Sequence, residues 1–272
     1  MFSTYPDVDE VLRGFLEAAR SILGQRLVGM YLYGSLAAGD FSPDRSDIDF
    51  VVVINGELSG MHLTELARMH ERFATGDSPW ATEIDASYIP RDALRRYDPK
   101  HARHPHVERG VGKLRIEHFG PDWVIQHHVL REYGVALAGP PAHTLIDPVS
   151  PEDIRRAVRG LAFDVWAPLC EDPAQLASWH WGAQVYAILT MCRMLHTLKT
   201  GALLPKQAAG RWARTILGEP WALYIDRALA WKKTDPQQAT PTETASTAAL
   251  IRFVVEQWRE VHDRTDEGIG LG

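Results

Sequence analysis

Apolar positions in the first half of the chain follow two rhythms. From Asp7 to Leu23, the residues Val8, Val11, Leu12, Phe15, Leu16, Ala19 and Leu23 recur at helical spacing, which predicts an amphipathic helix stopped by Gly24. The runs Leu27 to Tyr33 and Phe50 to Ile54 are instead rich in Val, Ile, Leu, Phe and Tyr, and turn formers (Gly39, Ser42, Pro43, Asp44) fill the gap. That pattern predicts a strand, a short helix opened by Gly34-Ser35, a loop and a second strand. A helix follows from Met61 to Phe73, and Ala81 to Ile89 alternates as a third strand closed by Pro90. From Arg91 to Phe119, Asp98-Pro99, His104-Pro105 and several glycines predict loops around a short strand. Pro121 to Tyr133 reads as a helix and Val135 to Ala138 as a short strand, ended by Gly139-Pro140-Pro141.

Beyond the proline-rich segment Pro140 to Pro151 the rhythm is helical only. Ser150-Pro151-Glu152-Asp153 supplies a cap, a proline at the first helical position and two acids in the first turn. Further helices are predicted at Trp179 to Lys199, Pro205 to Leu217, Pro220 to Trp231 and Thr242 to Val261. The expected architecture is an α/β (α+β) domain with a mixed sheet over residues 1–150, followed by an all-α helical-bundle domain over residues 151–272.

Candidate chemistry concentrates at the start of the second strand. Side chains alternate between the faces of a strand, so Asp47 and Asp49 point one way and Ile48 the other. Two adjacent ionised carboxylates repel unless a cation sits between them. Mg²⁺ fits, because it takes oxygen ligands and is usually held by one or two carboxylates plus substrate phosphates. Gly34 allows close backbone approach to a phosphate, and Ser35 offers a hydroxyl at the positive end of a short helix. Either half alone is commonplace, Asp-x-Asp as a solvated strand entry and Gly-Ser as a turn; together, at this spacing, they point to metal-assisted phosphate chemistry. On the third strand Glu83, Asp85 and Ser87 share a face, so Glu83 and Asp85 are both candidates for a third carboxylate, as general base or metal ligand.

Composition narrows the partners. Hydrophobic residues at 45% and charged ones at 24% support a sizeable core. A net charge of −6 argues against a nucleic-acid partner, which would call for a basic stripe, and suits a cationic small molecule better. Cys170 and Cys192 lie in apolar surroundings and read as core thiols. His101, His104 and His106 are close in sequence, but no Cys or paired carboxylate accompanies them, and Pro105 interrupts them. A solvated, pH-sensitive loop is expected there rather than a metal site. With no run long enough to span a membrane and no leader-like N-terminus, cytoplasmic residence is expected, and a monomer.

The stretch YLYGSLAAGDFSPDRSDIDFVVV resembles the nucleotidyltransferase superfamily with the polymerase-beta-type core. With ATEIDASYI, YGVALAGPPAHTLIDPVSPEDI and Pro205-Lys206 in a helical second half, it is similar to the aminoglycoside (3″)(9) adenylyltransferases, over nearly the whole chain. That resemblance implies Mg²⁺-dependent transfer of AMP from ATP to a hydroxyl of streptomycin or spectinomycin, releasing pyrophosphate, in a cleft between the two domains. Asp47 and Asp49 would hold the metals. The family's base is a Glu preceding an aliphatic residue on the third strand; Glu83 before Ile84 matches it and is preferred to Asp85. Ser35 and Ser46 match serines that contact the triphosphate, Lys206 a lysine doing the same, and Arg193 an arginine of the preceding helix. Trp231 falls where the family has a nucleotide-contacting tyrosine.

Trp166 followed five residues later by Glu171 matches members that accept streptomycin as well as spectinomycin. Ala183 stands where an acceptor-binding Asp is expected, leaving His180 or Glu171 to compensate. Two alternatives remain: a nucleotidyltransferase with another acceptor, such as a lincosamide, a protein hydroxyl or an RNA end, and a non-catalytic nucleotide-binding relative.

Overall fold

The computed structural model describes residues 3–235 and 238–269, and its chain divides into two compact units, Met1–Val149 and Ser150–Gly272. The first unit is built on six strands: β1 (Leu27–Leu32), β2 (Ile48–Ile54), β3 (Ile84–Pro90), β4 (Arg103–Val107), β5 (Leu114–His118) and β6 (Val135–Ala138). They lie in the order β5-β4-β3-β2-β1-β6. The sheet is mixed, since β2 and β3 pair parallel while the other neighbours pair antiparallel.

Five helices accompany the sheet: α1 (Pro6–Leu23), α2 (Gly34–Ala37), α3 (Gly60–Ala74), α4 (Arg91–Arg95) and α5 (Asp122–Tyr133). Strand alternation explains how they are shared between the faces. Met30, Leu32, Phe50, Val52 and Tyr88 meet Leu12 and Phe15 of α1 and Leu66 and Met69 of α3. Tyr31, Tyr33, Val51, Val53 and Ile89 project the other way onto Leu94, Phe119, Trp123 and Leu130. Each fully buried side chain of this size contributes about 1.5–3 kcal/mol. Within the first face, His70 Nε2 lies 2.7 Å from the Tyr88 hydroxyl, and burial pushes the imidazole pKa down to about 3.

The segment from Arg91 to Phe119 is more ordered than its sequence suggests. It forms α4 and a β4–β5 hairpin, whose turn is made by Gly110 and Gly112 at φ +79° and +63°. His104 and His106 therefore lie on a strand, not in a solvated loop. His104 is buried with its ring 5.3 Å from Phe119, and desolvation lowers its pKa to about 4. Pro105 lies outside the short β3–β4 ladder, whose pairs are Ala86↔Val107 and Ser87↔His106, and stands opposite Ile116 in the β4–β5 ladder.

The second unit contains α6 (Pro151–Leu161), which runs through a π-helical turn, Ala162–Trp166, into α7 (Ala167–Glu171). It continues through α8 (Pro173–Ala177), α9 (Trp181–Thr200), α10 (Lys206–Leu217), α11 (Trp221–Ala230) and α12 (Pro241–Ile269). Helix α9 is the buried centre, with Val185, Ile188, Leu189, Cys192 and Leu195 enclosed. The caps follow the sequence. Ser150 Oγ accepts from the Asp153 N–H at 3.1 Å, and Thr240 and Glu243 each take the other's backbone N–H at the start of α12. No helix among the described residues is long and apolar enough to cross a membrane.

Candidate active site

β1 delivers the chain to Gly34, where φ is +65°. A side chain here would be strained, and its Cβ would drive into the Asp49 carboxylate. Glycine thus lets the start of α2 lie directly against Asp49, while the Tyr33 N–H donates to the Asp49 carbonyl at 3.1 Å. The Ser35 hydroxyl oxygen, next in the chain, is enclosed and has no hydrogen-bond partner among the described residues. An orphaned buried hydroxyl is uncommon and calls for an external polar group. Ser46 closes the loop that feeds β2: its Oγ accepts the Ser42 N–H at 3.0 Å, and its own N–H donates to the Ser42 carbonyl at 2.8 Å.

The parallel register assembles the acids. Ile48 faces Ile84 and Asp49 faces Asp85, and the Ile48 N–H donates to the Glu83 carbonyl at 2.8 Å. Asp47 is therefore level with Glu83, and by alternation all four carboxylates share the face of Val51 and Val53 at one end of the sheet. The parallel ladder puts both strand entries at that same end.

Two cationic or ionisable side chains from the β4–β5 hairpin meet this group. Arg109 spans Asp47 and Glu83, with Nη1 3.4 Å from Asp47 Oδ2 and Nε 3.7 Å from Glu83 Oε2. His106 Nε2 lies 3.8 Å from Asp85 Oδ2, and its Nδ1 is 3.1 Å from Ser87 Oγ. Burial raises the Asp85 carboxyl pKa, with the His106 partner opposing and the nearby Asp47 charge adding to the rise. The enclosed Tyr33 phenol is held well above its usual value, first by burial and then by the Asp85, Asp49 and Asp47 charges.

Among the described residues, no three His, Cys, Asp or Glu side chains converge as a closed metal cage. Mg²⁺ does not need one. Its shell is commonly completed by water and phosphate oxygens around one or two carboxylates, and Asp47 and Asp49 supply that donor set, with Glu83 beside them.

In the second unit, Lys206 opens α10 with Nζ 4.6 Å from the ring centre of Tyr186, a half-exposed residue of α9. Arg193 lies two turns beyond Tyr186 and ties down the loop before α10 through Nε to the Leu204 carbonyl at 3.1 Å. Trp231 follows α11, and its indole N–H is enclosed without a partner among the described residues. Trp166 closes the π-helical turn and is 5% exposed, with its ring 6.5 Å from Trp179 and 6.3 Å from Tyr186. Glu171 is exposed at the end of α7. His180 is the N-cap of α9, its Nδ1 accepting the Ala183 N–H at 3.2 Å. Trp166, Tyr186 and Lys206 thus form one connected group.

Arg109, His106 and Tyr186 were not legible as site residues in the sequence. Arg109 and Asp47 are 62 positions apart, and a lone Arg before a glycine has no distinguishing spacing. The available signal is Gly110 and Gly112, which mark the hairpin turn that returns β5 alongside β4.

Residues 12–95 match the family model of the nucleotidyltransferase domain, and residues 144–257 match that of the aminoglycoside adenylyltransferase C-terminal domain. A spectinomycin 9-adenylyltransferase of Staphylococcus aureus is 26% identical over 222 residues, spanning 78% of this chain and 80% of its own length. An aminoglycoside (3″)(9) adenylyltransferase of Klebsiella pneumoniae is 28% identical over 197 residues, 69% of this chain and 71% of the relative. In fold, the chain matches a crystal structure of the spectinomycin adenyltransferase AAD(9) from Enterococcus faecialis with ATP and spectinomycin. The TM-score is 0.72 over 92% of this chain and 98% of that one, at 18% identity. With a match to the nucleotidyltransferase domain followed by a match to the aminoglycoside adenylyltransferase C-terminal domain, the chain is a nucleotidyltransferase similar in both parts to the aminoglycoside adenylyltransferases.

Proposed function

We propose that this enzyme transfers AMP from ATP to a hydroxyl of an aminoglycoside-type antibiotic, spectinomycin or streptomycin, and releases pyrophosphate. The observation that carries the reading is the β2–β3 register, which sets Asp47 and Asp49 beside Glu83 at one end of the sheet. The activities named for the relatives support the antibiotic as acceptor. Mg²⁺ bound by Asp47 and Asp49 supplies charge neutralisation for the phosphates and the developing transition state.

In this reading the Ser35 hydroxyl and the Gly34 backbone receive triphosphate oxygens, and Ser46 holds the loop that carries Asp47. Lys206 and Arg193 add positive charge for the nucleotide, and Trp231 offers its indole N–H. Glu83 takes the proton from the antibiotic hydroxyl as that oxygen attacks the α-phosphorus. The bond to the β,γ-pyrophosphate breaks, and pyrophosphate leaves. Glu83 rather than Asp85 is assigned as base because Glu83 is level with Asp47 and, preceding Ile84, matches the position of the base in the family this chain resembles. Trp166, Glu171 and His180 are assigned to the acceptor, the acid for its cationic groups and the ring for its sugar face.

The test is pyrophosphate release from ATP and Mg²⁺ with spectinomycin and streptomycin offered separately, and Asp47→Asn as the blank. Release with either antibiotic, absent in the blank, supports the reading. Absence with both refutes the acceptor assignment, and equal release in the blank refutes the metal assignment.

A further inference from the structure

Resting on that reading, we infer that Arg109 is a built-in counter-ion of the metal-binding carboxylates, one that the incoming metal displaces. The reason is charge balance. Four carboxylates meet at one end of β2 and β3, and the guanidinium reaches across Asp47 and Glu83, one nitrogen to each. Left alone, such a group repels itself; Arg109 offsets part of that negative charge, at Asp47 and Glu83, before any ligand arrives.

Arg109 lies against Asp47 Oδ2 and Glu83 Oε2, and a divalent cation taking those same oxygens would displace the guanidinium from them. The hairpin is suited to this. Arg109 follows the last β4 residue by two positions and precedes Gly110 and Gly112, so its backbone lies outside the ladder. Its side chain is 40% exposed, and its contacts at 3.4 and 3.7 Å are long for charge-assisted bonds. It is held loosely enough to exchange partners. The metal arrives with a polyphosphate, and planar guanidinium is a good partner for phosphate oxygens. Arg109 thus moves from carboxylate to phosphate as the nucleotide and its metal enter together, and metal without nucleotide is disfavoured. The enzyme prefers the metal–nucleotide complex over the bare ion.

The experiment is calorimetric titration of Mn²⁺ alone into the wild-type protein, Arg109→Gln, Arg109→Lys and Asp47→Asn, with melting curves of each in the presence and absence of Mg²⁺. Arg109→Gln should bind Mn²⁺ about five- to tenfold more tightly than the wild type, as expected for losing two competing, partly exposed ion pairs. Arg109→Lys should fall between. Arg109→Gln should also melt at a lower temperature without metal and regain the loss in Mg²⁺, which the loss of a purely structural contact would not do. Equal Mn²⁺ affinity in the wild type and Arg109→Gln overturns the inference, as does a melting deficit that Mg²⁺ leaves unchanged. The underlying metal assignment fails separately, if Asp47→Asn binds Mn²⁺ as the wild type does.

Discussion

Gly34→Ala tests the close approach of backbone to carboxylate on which the proposed phosphate and metal sites depend. At φ +65° an alanine occupies the left-handed region, at a cost of about 1–2 kcal/mol in folding stability. For a domain of this size that lowers the melting temperature by roughly 2–8 °C. The larger effect is local. The new Cβ would overlap the Asp49 carboxylate, which must withdraw by roughly 1 Å or more, and a displacement of that size at a reacting centre costs about 10²-fold in rate. Thermal melting and antibiotic-dependent pyrophosphate release, measured on the same preparation, separate the two. A modest melting shift with a rate loss near two orders of magnitude is expected. If the rate falls only in proportion to the folded fraction, Gly34 shapes the turn and nothing more, and the argument that it positions Asp49 is wrong.

Glu83→Gln should abolish transfer while nucleotide binding, followed by fluorescence titration, stays within about threefold, since a carboxamide cannot take the proton but keeps the shape; retained turnover removes Glu83 as base. Stability should fall in mild acid. The His70 pKa is pushed down to about 3 by burial, so below its unfolded value of about 6.5 only the unfolded chain takes up the proton. Each pH unit below that value then costs about 1.4 kcal/mol from His70 alone, and His104 and His127, lowered by burial as well, act in the same direction. Urea midpoints should therefore drop between pH 7.5 and 5.5, and an unchanged midpoint contradicts the buried neutral assignment. Tyr88→Phe leaves His70 Nε2 without its partner and should cost about 1–3 kcal/mol in urea unfolding, with no change in KM for ATP. His180→Ala removes the cap of α9, at about 1 kcal/mol. If His180 also contacts the acceptor, KM for the antibiotic rises in that variant while KM for ATP does not.

What could be read from the sequence divides along the range of the interactions involved. The Gly34-Ser35 turn and the Asp47-Ile48-Asp49 entry lie within one strand–turn–strand unit, so alternation and turn chemistry were enough to put the two acids on one face. Glu83 was reachable because a third alternating stretch opened with acids. What the sequence could not supply was the register, in which Ile48 meets Ile84 and so sets Asp47 level with Glu83. Arg109 and His106 were invisible for a related reason. Pro105 and the glycines disguised a two-stranded hairpin as loop, and a residue's nearness to Asp47 or Asp85 follows from where that hairpin docks, not from any local pattern.

The second unit gave the opposite difficulty. Its longer helices were plain from their spacing and caps, but the short α7 and α8 and the surroundings of the candidate residues were not. Trp166 is packed against Trp179 and Tyr186, and His180 is occupied with the N-terminus of α9, so each has a structural task that the spacing of Trp166 and Glu171 does not reveal. Those tasks bear on specificity. A ring already held on two sides can meet a ligand only at its remaining edge, while Tyr186, half-exposed beneath Lys206, has open surface to offer. If the acceptor touches this group, Tyr186→Ala should raise the antibiotic KM more than Trp166→Phe does. The reverse order, in a variant shown by its melting curve to be folded, would mean that the aromatic group opens on binding.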